Sequence, residues 1–140
     1  MERKLYTISG ELKDRIRAAI SDTTQKDENI SFAYIYGSFT DMSLPFHDID
    51  LGVFFAGKNL PEMSQTAIAL AVDLSKKTAF PVDVRVLNNA PVSFVYNVLK
   101  GELICERNQD IRCKVMENTV RSYLDMQPIL YRAMKEAFSS

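Results

Sequence analysis

Asp48 and Asp50 are two apart, immediately before the apolar run Leu51-Gly52-Val53-Phe54-Phe55. That run predicts a buried strand opened by the two aspartates, and on a strand positions i and i+2 face the same way. Both carboxylates would then project from one face, where an exposed edge meets the core. Like charges held this close repel unless something cationic lies between them. Carboxylate oxygens are the donors that a hard cation such as Mg²⁺ takes. An Asp-x-Asp at a strand start is also ordinary solvated loop chemistry, so the pair gains meaning from its surroundings.

Upstream, Phe32-Ala-Tyr-Ile-Tyr36 is a β-rich run that stops at Gly37-Ser38. A glycine at a strand end permits a sharp turn and a close backbone approach. The serine after it offers a hydroxyl and a backbone N–H to a phosphate, and a following short helix would add a favourable dipole. One hairpin-like unit therefore places a phosphate cradle on one strand and a metal grip on its neighbour. That combination suits transfer of a nucleotidyl or phosphoryl group.

A third carboxylate lies in Phe80-Pro-Val-Asp-Val-Arg-Val-Leu87, where Val82, Val84 and Val86 alternate with Asp83, Arg85 and Leu87. Asp83 and Arg85 read either as an outward-facing ion pair on a wet sheet face or as the completion of a metal site begun by Asp48 and Asp50. Arg85 could equally reach a phosphate. His47, the single histidine, abuts Asp48 and reads as a solvent-facing loop residue or as a group that tunes the site.

The elements that must position these residues follow from capping and periodicity. Ser9 caps a first helix with Glu11 in its first turn and an apolar face of Leu12, Ile16, Ala19 and Ile20. Thr23 to Asn29 reads as a polar loop. Pro61 opens a second helix with the stripe Met63, Ala67, Leu70, Ala71 and Leu74, closed by Lys76-Lys77. A short helix carries Val92, Val95, Tyr96 and Leu99 up to Gly101, and Glu102 to Glu106 is a fourth strand. Asn108 caps the last helix, which Pro128 should kink or divide. Its apolar tail through Leu130, Met134 and Phe138 reads as folding back on the core or meeting a partner, with the core preferred.

The chain has 140 residues, 46% of them hydrophobic, and a formal charge of −1. This predicts a single domain over residues 1–140, with the C-terminal helices 108–138 included. No basic footprint for direct nucleic-acid binding is present, and no apolar run is long enough to span a membrane. Cys105 and Cys113 lack metal-like spacing, and the N-terminus lacks an apolar signal region. A reduced, cytoplasmic setting is expected.

Gly37-Ser38, nine intervening residues, Asp48-Ile-Asp50 and then Val82-Asp83-Val84 together resemble the DNA polymerase β-like nucleotidyltransferases. Asp83 to Pro91, Gly101 to Arg107 and Tyr123-Leu-Asp125 extend the likeness to the minimal nucleotidyltransferases, the MNT antitoxins of HEPN–MNT toxin–antitoxin pairs. The resemblance covers about Ile30 to Asp125. It implies an α/β fold of mixed α+β kind, a mixed central sheet with helices packed mainly on one face. It implies that Gly37 and Ser38 hold nucleotide phosphates and that Asp48, Asp50 and Asp83 are catalytic and bind two Mg²⁺ ions, Asp83 also helping to deprotonate the attacking hydroxyl. It further implies ATP as substrate and transfer of AMP to a tyrosine of a HEPN-domain toxin. One departure is visible: Thr40-Asp41-Met42 stands where such proteins carry a small or basic residue and a glycine, bringing a carboxylate close to the expected triphosphate.

Two other functions fit the same residues. A nucleotidyltransferase acting on a small molecule, such as an aminoglycoside, would share the core but needs an acceptor pocket that a chain this short has little material to build. A binding-only antitoxin would use the Asp41 loop and the amphipathic tail. Self-association into a homo-oligomer is left open.

Overall fold

The computed structural model describes residues 4–138. Three strands form around the apolar runs anticipated above: β1 (Ile30–Tyr36), β2 (Ile49–Phe55) and β3 (Val82–Val86), with β4 (Glu102–Glu106) completing the sheet. The strand order is β3-β2-β1-β4. β1 pairs antiparallel with both β2 and β4, whereas β2 and β3 run parallel. A parallel pair needs a crossover, and here it is α2 (Leu60–Thr78). The sheet is thus mixed, as expected.

α1 (Gly10–Gln25) and α2 cover one face. Ile16 and Ile20 from α1 and Met63, Leu70 and Leu74 from α2 pack on Ala33, Ile35, Leu51 and Val53 to form the larger core. The opposite face carries a smaller, aromatic cluster of Phe32, Tyr34, Leu87, Val95 and Val98 beneath α3 (Val92–Leu99). Gly52 makes this second packing possible. A β-carbon there would stand 2.7 Å from Cγ1 of Val98, so only glycine lets α3 lie this close to β2.

Ser9 caps α1 through Leu12 N–H at 3.1 Å, and Asn59 caps α2 through Glu62 N–H at 2.9 Å. Four expectations need correction. The buried stripe of α1 is Lys13, Ile16, Ile20 and Thr24, and Leu12 is exposed. Thr23 to Gln25 is helical: Thr24 continues the buried stripe of α1, and its hydroxyl is satisfied inside the helix by the Ile20 carbonyl at 2.9 Å. Pro128 does not divide the last helix: α4 (Gln109–Phe138) passes through it as one element. The tail does not fold back on the core. The first half of α4 packs on α3, with Tyr123 stacked on Tyr96 at 3.8 Å, but every residue from Leu124 to Phe138 is exposed.

Candidate active site

β1 ends at Tyr36, and the chain turns at Gly37 with φ +84°, a conformation that suits glycine. A single turn of 3-10 helix follows, Ser38–Thr40. It is too short for a helix dipole of consequence. Its order comes from short-range bonds: the Thr40 hydroxyl and N–H both donate to the Gly37 carbonyl, at 2.7 and 3.1 Å.

Across the sheet, Tyr36 pairs with Asp50, and Asp50 pairs with Asp83. Side chains opposite each other on paired strands share a face, so Tyr36, Asp50 and Asp83 form one row over β1, β2 and β3. Asp48 lies just before β2 rather than in it. All three aspartates nevertheless act on the Tyr36 hydroxyl. Burial first, then the charges of Asp50 and Asp83, push its pKa up to about 12; Arg85 opposes them, and Asp48 adds the smallest effect. Gly37 closes the row from the side: a β-carbon at that position would be 2.5 Å from Oδ2 of Asp50. The glycine turn and the aspartate strand, separated in sequence, are therefore in direct contact.

Asp83 has a protein cation beside it. Arg85 Nε donates to Asp83 Oδ2 at 3.0 Å. That bond and the charge of Asp83 raise the pKa of Arg85, with further help from Tyr36 and Asp50. Of the two readings of Asp83 and Arg85, the ion pair is present. Arg85 also borders a cavity of about 250 Å³ with Val86, Ala90, Pro91 and Phe94, and the Phe94 ring meets Tyr36 edge-on at 5.7 Å. A larger cavity, about 360 Å³, is lined by Gln25, Cys105, Glu106 and Arg107 at the other end of the sheet and includes none of these residues.

The donor set suits a hard divalent cation: three carboxylates, two of them adjacent in register, on a half-buried face. As the side chains stand, no group of three acidic, histidine or cysteine residues among those described is close enough to hold an ion. The contact that an ion at Asp83 would have to replace is the one with Arg85.

Two further residues bear on the turn. Lys13 was not singled out by its chemistry, although its place on the stripe of Ile16 and Ile20 was a readable signal. Its ammonium is buried and donates to the carbonyls of Phe39 at 2.9 Å and Asp41 at 3.1 Å, tying α1 to the loop after Gly37-Ser38. The Asp41 carboxylate is taken up locally. It accepts from the Ser43 N–H at 2.9 Å and hydroxyl at 2.7 Å, and these bonds hold its pKa below the usual value. His47 Nδ1 donates to the Lys4 carbonyl at 2.9 Å, anchoring the N-terminal segment beside the bridge between Tyr6 and Phe46.

The family model described as polymerase β, nucleotidyltransferase, matches residues 18–110, about two thirds of the chain. No curated protein matches the sequence. Among solved structures, a chain of the tri-AMPylated Shewanella oneidensis HEPN toxin in complex with MNT antitoxin is similar at TM-score 0.70 and 16% identity, covering 91% of this chain and 99% of that one. The toxin–antitoxin complex MntA–HepT gives a TM-score of 0.68 at 16% identity, with 90% and 99% covered. A toxin–antitoxin structure with AMP-PNP gives 0.69 at 16% identity, with 90% and 98% covered. At this identity the likeness is one of fold. No described helix is long and apolar enough to cross a membrane.

Proposed function

The chain belongs to the polymerase β nucleotidyltransferase family, and on that premise we propose that it is a Mg²⁺-dependent enzyme that moves AMP from ATP to a tyrosine hydroxyl of a HEPN ribonuclease, acting as that toxin's antitoxin in the cytoplasm. The observation that carries this reading is the in-register pair Asp50 and Asp83, with the backbone of Gly37 set against Asp50. The tri-AMPylated toxin and the AMP-PNP in structurally similar complexes support the acceptor class and the nucleotide.

In this reading residues 1–140 act as one domain. Gly37 brings the backbone of the turn to the nucleotide phosphates, and Ser38 offers them its hydroxyl. Asp48, Asp50 and Asp83 would hold two Mg²⁺ ions, whose charge would polarise the α-phosphate and stabilise the leaving pyrophosphate. Asp83 takes the proton of the acceptor hydroxyl as its oxygen bonds to the α-phosphorus and the bond to pyrophosphate breaks. Lys13 keeps the loop in place during this exchange through the carbonyls of Phe39 and Asp41.

One observation favours a second reading, a binding-only antitoxin. The second half of α4 leaves Ile129, Leu130, Tyr131 and Met134 exposed. Co-expression with a candidate HEPN-domain toxin separates the two. Loss of growth rescue with Asp48→Asn and Asp50→Asn supports catalysis, and full rescue by those variants supports binding alone.

A further inference from the structure

Arg85 borders both the carboxylate row and the cavity next to it. It is two residues from Asp83 on β3 and so shares the face of Tyr36, Asp50 and Asp83. Its bond to Asp83, at 3.0 Å, is not locked by packing: the Arg85 side chain is 63% exposed and that of Asp83 41%. An exposed pair of this kind is weak and readily exchanged. On its other side Arg85 lines the cavity with Phe94 and Pro91. A guanidinium presents five donors in a planar fork and binds phosphate as well as carboxylate.

We propose that Arg85 is an exchangeable counter-ion: it occupies Asp83 in the ion-free protein, and when a divalent cation takes Asp83 it turns to the phosphates of the bound nucleotide. This inference rests on the nucleotidyltransferase reading above. Arg85 and the cation compete for one carboxylate, so Arg85 weakens binding of the cation alone. With cation and nucleotide both present, the released guanidinium adds charge-assisted bonds to phosphate. The side chain thereby couples the two ligands, and such coupling is reciprocal. A positive charge acting only through its field would favour the nucleotide whether or not a cation was bound. Exchange makes the gain conditional on the cation. Arg85 in this sense favours the metal–nucleotide pair over either ligand alone.

Calorimetric titrations with Mn²⁺ and AMP-PNP on wild type, Arg85→Ala and Arg85→Lys test this, with far-UV circular dichroism as the check on folding. Arg85→Ala is expected to bind Mn²⁺ alone about fivefold more tightly and to bind AMP-PNP in the presence of Mn²⁺ about tenfold more weakly. Its affinity for AMP-PNP without a divalent ion should not change. Arg85→Lys keeps the charge but loses the fork, and should fall between the two. Equal weakening of AMP-PNP with and without Mn²⁺, or an unchanged Mn²⁺ affinity, overturns the exchange and leaves the nucleotidyltransferase reading standing. Failure of both wild type and Arg85→Ala to bind Mn²⁺ overturns both.

Discussion

The turn at Gly37 rests on the carboxylate of Asp50, so closely that a β-carbon at position 37 would stand 2.5 Å from Oδ2. Position 37 is constrained twice, by this contact and by its φ of +84°. Gly37→Ala should therefore cost about 1–3 kcal/mol of stability, measured from the shift in denaturant midpoint. It should also displace Asp50. Nucleotidyl transfer should then fall by more than the loss of folded protein accounts for, and equal losses would show that the contact does not matter to the site.

The loop after Gly37 depends on a residue from another element. Lys13 is 3% exposed and donates to the carbonyls of Phe39 and Asp41. Lys13→Met fills similar space without the donors; leaving the buried Phe39 carbonyl without this partner costs about 1–3 kcal/mol, whereas the Asp41 carbonyl keeps the Leu44 N–H at 3.4 Å. Hydrogen exchange should show faster opening of residues 38–41 in this variant than in wild type. Unchanged exchange there would mean that the loop is held by its own bonds.

Much of this arrangement was legible in the sequence because the strands keep period two. Val82, Val84 and Val86 facing the larger core leave Asp83 and Arg85 on the other side, and the register with β2 then sets Asp83 beside Asp50. Less legible was anything that depended on a side chain acting against its type. Lys13 is a cation on an apolar stripe, tolerated because two carbonyls and the rings of Phe39 and Phe46 surround its ammonium. Thr24 is helical where its composition suggested loop: it falls on the buried stripe, and its hydroxyl finds a partner in the Ile20 carbonyl. The apolar spacing of Leu130, Met134 and Phe138 was correctly helical, but periodicity does not say what a helix face meets.

Tyr36 provides a pH signature. Its pKa is raised from 10.0 to about 12 by burial and by the aspartates. The folded chain thus keeps the proton where the unfolded chain releases it. The stability from this group is complete below pH 10, the unfolded value, and is lost as pH rises through about 12. Tyr36→Phe should flatten that part of the stability–pH curve. Asp50→Asn should lower the Tyr36 pKa in an ultraviolet phenolate titration, and an unmoved titration would place Asp50 further from the hydroxyl than described.

The exposed half of α4 contributes nothing to the core that is described. Deleting residues 127–138 should leave the unfolding free energy of the body within about 0.5 kcal/mol of wild type. Pro128 lies inside the helix and lacks an N–H. Pro128→Ala should raise helicity by circular dichroism without moving the main unfolding midpoint. A drop in midpoint on deletion would show that the segment packs on the body.

The central claim, AMP transfer dependent on Asp48, Asp50 and Asp83, is tested most directly by intact-mass spectrometry. A candidate HEPN-domain partner is incubated with the chain, ATP and Mg²⁺, and in parallel with Asp48→Asn and Asp50→Asn variants of the chain. A gain of one or more AMP units on the HEPN protein, located on tyrosine and absent with the variants, is the predicted result. An unmodified HEPN protein in a stable complex with the wild-type chain would contradict it.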